Sequence, residues 1–393
     1  MRLSERVERR DFQGEFLDVI LKAAADPSLI SFAGGLPNPD SFPTEAVRAA
    51  VNKVFDEKGF NCLQYNAAEG YGPLRQKICD RYKATMGLDY SPEEIIITTG
   101  SQQAIDMFTA CMIDEGDEMA VENPSYLAAL QVFHHYGPKI HAIDLLSDGI
   151  DTEQLAEVLK TSNPKFMYII PNFQNPTGLT YSEETRVKMA EIVKGSDMFI
   201  LEDNPYGELR FQGQAGHSMA YFLPEQTCLV GTFSKIVAPG MRVGWIACKN
   251  KELLEKMAVY KSSMDLHTSI FDQMVINQFL EDNDLEAQVE KAKEIYRGKA
   301  QIMMDSIAEY CPEGVEYTKP EGGMFLWITL PEGMKAVDVQ MEAIKKGVVV
   351  LAGDPFYEYD RDVRTMRVNY SRSTDEQMVT GMKIFGETIK SLM

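Results

Sequence analysis

The middle of the chain alternates short apolar runs with segments of helical periodicity. The apolar runs occur in EEIIITT, DEMAVEN, KIHAIDLL, KFMYII, DMFILED and TCLVGT, and helical patterns lie between most of them. Strands that alternate with helices indicate a mostly parallel sheet that is covered by helices on both faces. The pattern therefore predicts an α/β protein.

Helices are also predicted before this region. Residues 12–25 have a helical pattern, and a charged helix should run from Thr44 to about Glu57. Another helix should begin near Pro73, because proline suits the first turn of a helix. Between the first two helices, LISFAGGLPNPDSFP contains paired glycines and three prolines, so we expect a loop there.

Beyond residue 283 the order of the elements changes. Residues 284–310 carry a long charged helical pattern that can bridge two domains, and VEYTKPEGGMFLWITL predicts strands around a Gly-Gly turn. A helix over 336–346, the strands VVVLAG and TMRVNYS, and a last helix that opens at Thr374 complete the chain. The last helix has an apolar face that should pack on its own domain. Its members are Met378, Met382, Phe385, Ile389 and Leu392.

Length and this change of pattern predict two domains that share a cleft. A chain of 393 residues exceeds what one hydrophobic core usually serves. We expect a large domain over residues 44–283. A smaller α+β domain should combine residues 1–43 with residues 284–393.

Charge and cysteine usage limit which classes of partner and which cellular compartment we expect. The net charge of -20 comes without a dense Lys/Arg run, which argues against nucleic acid and anionic membranes as partners. The cysteines form no C-x-x-C pair and the start of the chain lacks a signal peptide, so we expect a reduced, cytoplasmic protein. The histidines show no metal-ligand spacing, so no metal site is expected. No apolar run is long enough to span a bilayer.

Several polar residues follow the predicted strands directly. In a mostly parallel sheet the ligand lies beyond the carboxyl ends of the strands. Each residue taken alone is also compatible with a turn or a helix cap, but an amide, a carboxylate, phenols and a lysine together predict a site. These residues are Ser101, Tyr126, Asn175, Asp203, Tyr206, Ser234 and Lys235.

Two turns have features of anion-binding sites. Gly100 permits a tight turn before a helix, where the N–H groups of Ser101 and Gln102 would face an anion such as a phosphate. Neither the dinucleotide fingerprint nor the Walker loop is present. In AGGLPNP, Gly34 and Gly35 would let the backbone approach a ligand, or would form an ordinary turn.

Lys235 is the candidate nucleophile. It lies in GTFSKIVAPGMRVG, where Thr232 and Ser234 bring hydroxyls and Arg242 brings a charge. A lysine attacks a carbonyl only as the neutral amine, which requires burial or a nearby cation to lower its pKa. From this segment alone, a buried strand that ends in a turn with an exposed lysine remains an alternative.

Taken together, these segments resemble the fold-type I pyridoxal phosphate (PLP) enzymes, specifically the class I/II aminotransferases of the aminoadipate, kynurenine and aromatic branch. The resemblance covers nearly the whole chain and implies a seven-stranded, mostly parallel sheet in the large domain. It depends on SFAGGLPNPDSFP, QYNAAEGYGPLR, TTGSQQAID, ENPSYLAAL, PNFQNPTG, LEDNPYGEL, GTFSKIVAPGMRVGW, PEGGMFLW and RVNYS.

The resemblance implies a role for each matching residue around the cofactor ring. Lys235 would hold PLP covalently and later move the proton at the reacting carbon. Asp203 would pair with the ring nitrogen, which keeps the ring an electron acceptor. Tyr126 would stack on the ring, Tyr206 would bond its hydroxyl, and Asn175 would bond that oxygen and the substrate carboxylate.

The remaining matches imply a phosphate cup, a substrate site and a homodimer. Arg367 would bind the substrate α-carboxylate, for which a planar two-pronged donor is suited, and Gly35 would lie beside the substrate. Tyr65 would reach the phosphate that is bound in the neighbouring subunit, so the active sites would be shared. The cup would consist of Ser101, Gln102, Thr232, Ser234 and Arg242.

The resemblance implies transfer of an amino group from an L-amino acid to a 2-oxo acid such as 2-oxoglutarate. A PLP-dependent carbon–sulfur β-lyase is an alternative, and so is a regulator built on this fold. We expect no regulator, because the fold begins almost at residue 1 and the chain is acidic. The first predicted helix, GEFLDVILKAA, lacks the arginine of many aminoadipate-specific relatives, which argues against dicarboxylates as exclusive substrates.

Overall fold

The computed structural model describes residues 3–9, 14, 22, 26–359 and 362–393. Most of the helix expected over residues 12–25 lies outside the described residues. No helix in the described part of the chain has the length and apolar character needed to cross a membrane.

The helices largely follow the predicted pattern. The helix expected from Thr44 runs to Lys58, and the long charged helix covers Leu285–Tyr310. In chain order the helices are α1 (Glu5–Glu8), α2 (Thr44–Lys58), α3 (Gly72–Met86), α4 (Gly100–Met112), α5 (Leu127–Tyr136), α6 (Thr152–Thr161), α7 (Glu183–Val193), α8 (Met219–Phe222), α9 (Lys251–Asp265), α10 (Ile270–Asp282), α11 (Leu285–Tyr310), α12 (Ala336–Lys345) and α13 (Asp375–Leu392).

The strands alternate with helices in the first part of the chain and cluster near its end. In chain order they are β1 (Ile30–Ser31), β2 (Ile95–Thr98), β3 (Glu118–Asn123), β4 (Lys139–Leu146), β5 (Gly149–Ile150), β6 (Phe166–Ile169), β7 (Phe199–Asp203), β8 (Thr227–Thr232), β9 (Gly244–Cys248), β10 (Glu316–Tyr317), β11 (Phe325–Thr329), β12 (Val348–Val349), β13 (Leu351–Ala352) and β14 (Thr365–Asn369).

In the part of the chain that the structure describes, the large sheet has eight strands in the order β2-β9-β8-β7-β6-β3-β4-β5. The strands from β8 to β4 in this order are parallel to one another. Strand β9 is antiparallel to both of its neighbours, and β5 is antiparallel to β4. The mostly parallel sheet is confirmed, and the two-residue strand β5 is an eighth strand beyond the seven that were expected.

Several strands of the large sheet are buried along their whole length because helices cover both faces of the sheet. Every residue of the inner strands β6 and β8 is buried, and so is every residue of β2, which lies at one edge. Such strands contribute hydrophobic surface on both faces, and alternation of polar and apolar residues is therefore absent. The result is a rigid platform whose carboxyl edge carries the loops of the site.

A second sheet near the end of the chain is antiparallel, in the order β10-β11-β14-β13. Arg367 lies on β14, opposite Trp327 of β11 and Leu351 of β13. A separate pair joins β1 to β12 with Ile30 opposite Val348, so the segment near the N-terminus packs on the C-terminal part. The boundaries at 44–283, 1–43 and 284–393 stay a prediction.

The last helix begins as its sequence indicates. Thr374 and Gln377 form a reciprocal capping box at its start. Met378, Met382 and Phe385 are fully buried, as is Ile389. Leu392, which we placed on the same face, is 43% exposed because the helix ends there.

Candidate active site

The polar residues predicted to mark a site follow strands whose carboxyl ends share one edge of the large sheet. Asp203 is the last residue of β7, and Lys235 lies three residues beyond Thr232, the end of β8. Tyr126 and Asn175 follow β3 and β6. Strand β2 has the same direction as β8, because both are antiparallel to β9, and so the start of α4 lies at the same edge.

Asp203 is buried and only half satisfied. The hydroxyl of Tyr168 donates to its Oδ2 at 2.9 Å, whereas Oδ1 is buried without a hydrogen-bond partner. Burial raises the pKa of Asp203 to about 7, although Tyr168 and Lys235 both oppose the shift. A carboxylate in this state is suited to a cationic or protonated partner that binds from outside the chain.

Lys235 has the lowered pKa that a nucleophile needs. Its Nζ donates to the carbonyl oxygen of Gly35 at 3.0 Å and lies 5.9 Å from the centre of the Tyr206 ring. Burial, together with Arg367 and Arg242, lowers the pKa of Lys235 to about 8, and the charge of Asp203 acts against this. The neutral amine is therefore a substantial species at slightly alkaline pH.

Arg367 is buried, and its guanidinium makes hydrogen bonds and packs on aromatic rings. Its Nη1 donates to Asn175 Oδ1 at 2.8 Å and its Nη2 to the carbonyl oxygen of Ala33 at 2.6 Å, while Nε has no partner. The guanidinium carbon lies 4.5 Å from the ring centre of Phe325 and 5.0 Å from that of Phe356. Both rings pack on the guanidinium, whose remaining N–H groups are available to a carboxylate.

The start of α4 is packed against Arg242. A Cβ at Gly100 would collide with the Arg242 guanidinium, whose Nη2 donates to the carbonyl oxygen of Thr99 at 3.3 Å. Both Gly100 and Arg242 have positive φ angles, of 75° and 53°. A Cβ at Gly244 would lie 2.9 Å from the backbone nitrogen of Ser101, so glycine lets the two backbones approach.

The other members of the predicted cup lie beside this helix start. Thr232 donates through its hydroxyl to the hydroxyl of Ser234 at 2.9 Å, and both are buried. The side chain of Gln102 donates to the carbonyl oxygen of Ala128 at 2.8 Å, so its amide is engaged with the start of α5. For Gln102 the backbone N–H remains the group that suits an anion.

Tyr126 and Tyr206 line the same region. Tyr126 is the N-cap residue of α5, and the charge of Asp203 contributes to raising its pKa, after burial as the main cause. Tyr206 is 5% exposed and its ring packs edge-on against Phe325, with ring centres 5.8 Å apart. Both phenols therefore stay protonated as hydrogen-bond donors.

The structure leaves one predicted residue outside this cluster. Tyr65 is 76% exposed, and its ring packs edge-on against His267 with the ring centres 5.8 Å apart. A tyrosine buried in its own chain is therefore excluded. The Tyr65 side chain is accessible at the surface of this chain.

Three buried side chains of the site were missed by sequence reasoning. Tyr168 lies in the run KFMYII and Phe325 in MFLW, where both match core residues. Phe356 ends a short 3-10 helix, Asp354–Phe356, and gave no signal beyond its aromatic type. Sequence distance hid the contacts of Tyr168 and Phe325, because their partners Asp203 and Arg367 lie on other strands.

A buried network connects the two loops that carry Tyr126 and Asn175. Gln174 donates to Glu122 Oε2 at 3.0 Å and to the carbonyl oxygen of Pro124 at 2.9 Å. Burial raises the pKa of Glu122 to about 7. The network fixes the relative position of both loops.

These features fit the chemistry of pyridoxal phosphate. The unpartnered Oδ1 of Asp203 suits a protonated ring nitrogen, and the amine of Lys235 suits an aldehyde. The start of α4 beside Arg242 suits a phosphate. The ring nitrogen, the aldehyde and the phosphate are parts of one cofactor, and the residues present therefore accommodate it.

Comparisons with known proteins agree with this fit. The family described as aminotransferase class I and II matches residues 29–384. The aromatic-amino-acid aminotransferase 1 of Thermococcus litoralis is 38% identical over 381 residues, which are 95% of this chain and 91% of that protein.

Two solved structures are also similar over nearly their whole length. The kynurenine aminotransferase of Pyrococcus horikoshii, in complex with PMP, has a TM-score of 0.94 at 36% identity and covers 100% of this chain and 97% of its own. The α-aminoadipate aminotransferase LysN of Thermus thermophilus, complexed with a phosphopyridoxyl-leucine, has a TM-score of 0.91 at 34% identity, with 99% and 97% coverage. The chain thus belongs to the class I and II aminotransferases and is a pyridoxal phosphate-dependent transaminase.

Proposed function

We propose that this transaminase takes the amino group of an aromatic or other large apolar L-amino acid and passes it to 2-oxoglutarate. The observation that carries the proposal is the convergence of a lysine with a lowered pKa, an aspartate with one unpartnered oxygen and a buried arginine packed on aromatic rings. Pyridoxal phosphate, when bound, supplies an aldehyde for the amino group and a ring that accepts an electron pair. The chain's residues bind, orient and move protons around it.

Arg367 binds the α-carboxylate of the donor. The guanidinium has five N–H donors, and its contacts with Asn175 and Ala33 leave others for the substrate. The rings of Phe325 and Phe356 pack on it. This geometry orients the α-carbon towards Lys235.

Lys235 holds the cofactor and then acts as the base and acid at the α-carbon. With the cofactor bound, its Nζ would accept the proton from the α-carbon of the donor and would later donate that proton within the same site. Such a role requires a pKa near the working pH, and the pKa of about 8 satisfies this. The Gly35 carbonyl, 3.0 Å away, orients the amine.

Asp203 and the cup fix the two ends of the cofactor. Asp203 would keep a proton on the ring nitrogen, Tyr126 would stack on the ring, and Tyr206 and Asn175 would bond its hydroxyl oxygen. The start of α4 would hold the phosphate through Ser101, Gln102, Thr232, Ser234 and Arg242.

An apolar donor is supported by the surroundings of Arg367 and by the sequence. The guanidinium is flanked by aromatic rings, Phe325 and Phe356. The segment GEFLDVILKAA contains no arginine for a distal carboxylate; most of it lies outside the described residues. Relatives named for aromatic amino acids and kynurenine match the chain closely, beside one named for aminoadipate.

We further propose a homodimer in which Tyr65 completes the partner's phosphate site. Tyr65 is one of four exposed apolar residues in two neighbouring segments, and exposed apolar surface of this kind marks a contact surface. Leu266 directly precedes His267, on which the Tyr65 ring packs. A symmetric pair would cover these residues on both copies. The four are Phe60 at 77% exposure, Leu63 at 71%, Tyr65 at 76% and Leu266 at 55%.

The compartment we propose is the cytoplasm. The six cysteines are all unpaired, as is usual for proteins of a reducing compartment. Fractionation of cells that express the tagged native chain tests this: recovery with a periplasmic or secreted marker would contradict it.

A donor panel tests the proposed reaction. Each L-amino acid is incubated with 2-oxoglutarate, and glutamate and pyruvate are both measured. We expect glutamate with aromatic donors at the highest kcat/KM. Exclusive activity on acidic donors would contradict the donor class, and pyruvate from cysteine conjugates without glutamate would indicate a β-lyase.

A further inference from the structure

We infer that Tyr168 is a positioning residue for Asp203, whose carboxylate it holds in one rotation so that Oδ1 stays free to accept from the cofactor's ring nitrogen. This inference rests on the role proposed above for Asp203. Tyr168 is fully buried, and its hydroxyl donates to Asp203 Oδ2 at 2.9 Å.

The sheet brings these two residues together. Strands β6 and β7 are parallel neighbours, with Tyr168 opposite Leu201. Asp203 lies two residues beyond Leu201, so its side chain is on the same face of the sheet as that of Tyr168. A diagonal neighbour is within reach of a long aromatic side chain. The ring of Tyr168 is fixed by edge-on packing on Phe133, with ring centres 5.4 Å apart.

The hydroxyl can act only as a donor towards the carboxylate. Burial is the main cause that raises the pKa of Tyr168 well above its usual value, and Asp203 adds to the shift. Among the described residues, Tyr168 is the one hydrogen-bond partner of the Asp203 side chain. Without it the carboxyl group would favour its neutral form, which pairs poorly with a protonated ring nitrogen.

The experiment compares Tyr168→Phe with the control Tyr136→Phe. Tyr136 also donates to an aspartate, Asp106, at 2.9 Å. It lies at the far end of α5, about 15 Å along the helix axis from Tyr126. Cofactor-free protein is titrated with pyridoxal 5′-phosphate between about pH 6 and 9, and kcat and Tm are measured on the same variants.

We expect Tyr168→Phe to weaken cofactor binding about tenfold or more, as for loss of a hydrogen bond to a charged group. Affinity falls as Asp203 becomes protonated, so this fall should begin at a higher pH in Tyr168→Phe. Tyr136→Phe should keep the wild-type affinity and pH profile. If the pH profile of Tyr168→Phe matched that of Tyr136→Phe, the inference would be overturned.

Two further variants separate this inference from the role of Asp203 itself. Asp203→Asn should be impaired, and adding Tyr168→Phe to it should cause no further loss, because Tyr168 acts through the carboxylate. Wild-type behaviour of Asp203→Asn would refute the role of Asp203. Additive losses in the double variant, or failure of both Tyr168→Phe proteins to fold, would assign Tyr168 to packing and overturn the inference.

Discussion

Replacement of Arg367 by lysine tests how the active site recognises its substrate. The variant Arg367→Lys keeps one positive charge but replaces a planar five-donor group with a compact ammonium. In the structure two N–H groups are already used, on Asn175 at 2.8 Å and on the Ala33 carbonyl at 2.6 Å. An ammonium in this position cannot serve both and also grip a carboxylate at two points.

The expected magnitude follows from the hydrogen bond that is lost. One bond to a charged group contributes about 1.5–3 kcal/mol, which corresponds to roughly a ten- to 150-fold loss of kcat/KM. The rings of Phe325 and Phe356 pack on the planar guanidinium, and a compact ammonium would make less contact with them. We therefore expect the upper part of this range for an aromatic amino acid.

The assay compares an aromatic amino acid with the matching arylalkylamine, which lacks the carboxylate, in single turnovers. The amine should react equally slowly with the wild type and with Arg367→Lys. Arg364→Lys is the control, because Arg364 lies three residues away and donates to the Leu330 carbonyl at 2.9 Å. An equal loss for amino acid and amine would refute carboxylate recognition by Arg367.

Three other predictions concern the lysine, its pKa and the dimer. Lys235→Ala should lack the visible absorbance of a covalently held cofactor and should not turn over; wild-type transamination would refute the assignment. The pKa of Lys235 is lowered to about 8, so its neutral fraction grows as pH rises through 8. Reloading of cofactor-free protein, followed by absorbance, should therefore accelerate as pH rises through about 8 and level off above it; a rate independent of pH would contradict this. A mixed dimer of Lys235→Ala and Tyr65→Phe subunits should bind the cofactor with near wild-type affinity at the site that keeps Lys235, because the other subunit supplies an intact Tyr65. Affinity as weak as in the Tyr65→Phe homodimer would refute active sites shared between subunits.

The local sequence pattern was sufficient to predict most of the secondary structure. The continuous apolar runs became the buried strands, and Thr374 with Gln377 capped the last helix. Such features depend on neighbours within a few residues, for which periodicity and capping preferences are sufficient. Residues that follow a strand also share one edge of a parallel sheet, which is why Asp203 and Lys235 were found together.

Contacts between remote segments needed the tertiary structure. The sequence indicated neither the hydrogen bond from Tyr168 to Asp203 nor the packing of Phe325 on Arg367. The eighth strand, β5, also escaped prediction, because two residues are too few to show a period.

The sequence by itself determined which chemical groups the protein offers: a lysine, an aspartate and an arginine in segments typical of transaminases. The fold decided the pKa values of the lysine and the aspartate. Burial and the nearby arginines bring the pKa of Lys235 to about 8, and burial brings that of Asp203 to about 7. Desolvation and charge proximity arise only when strands and loops from distant parts of the chain pack together, and a linear pattern therefore cannot specify them.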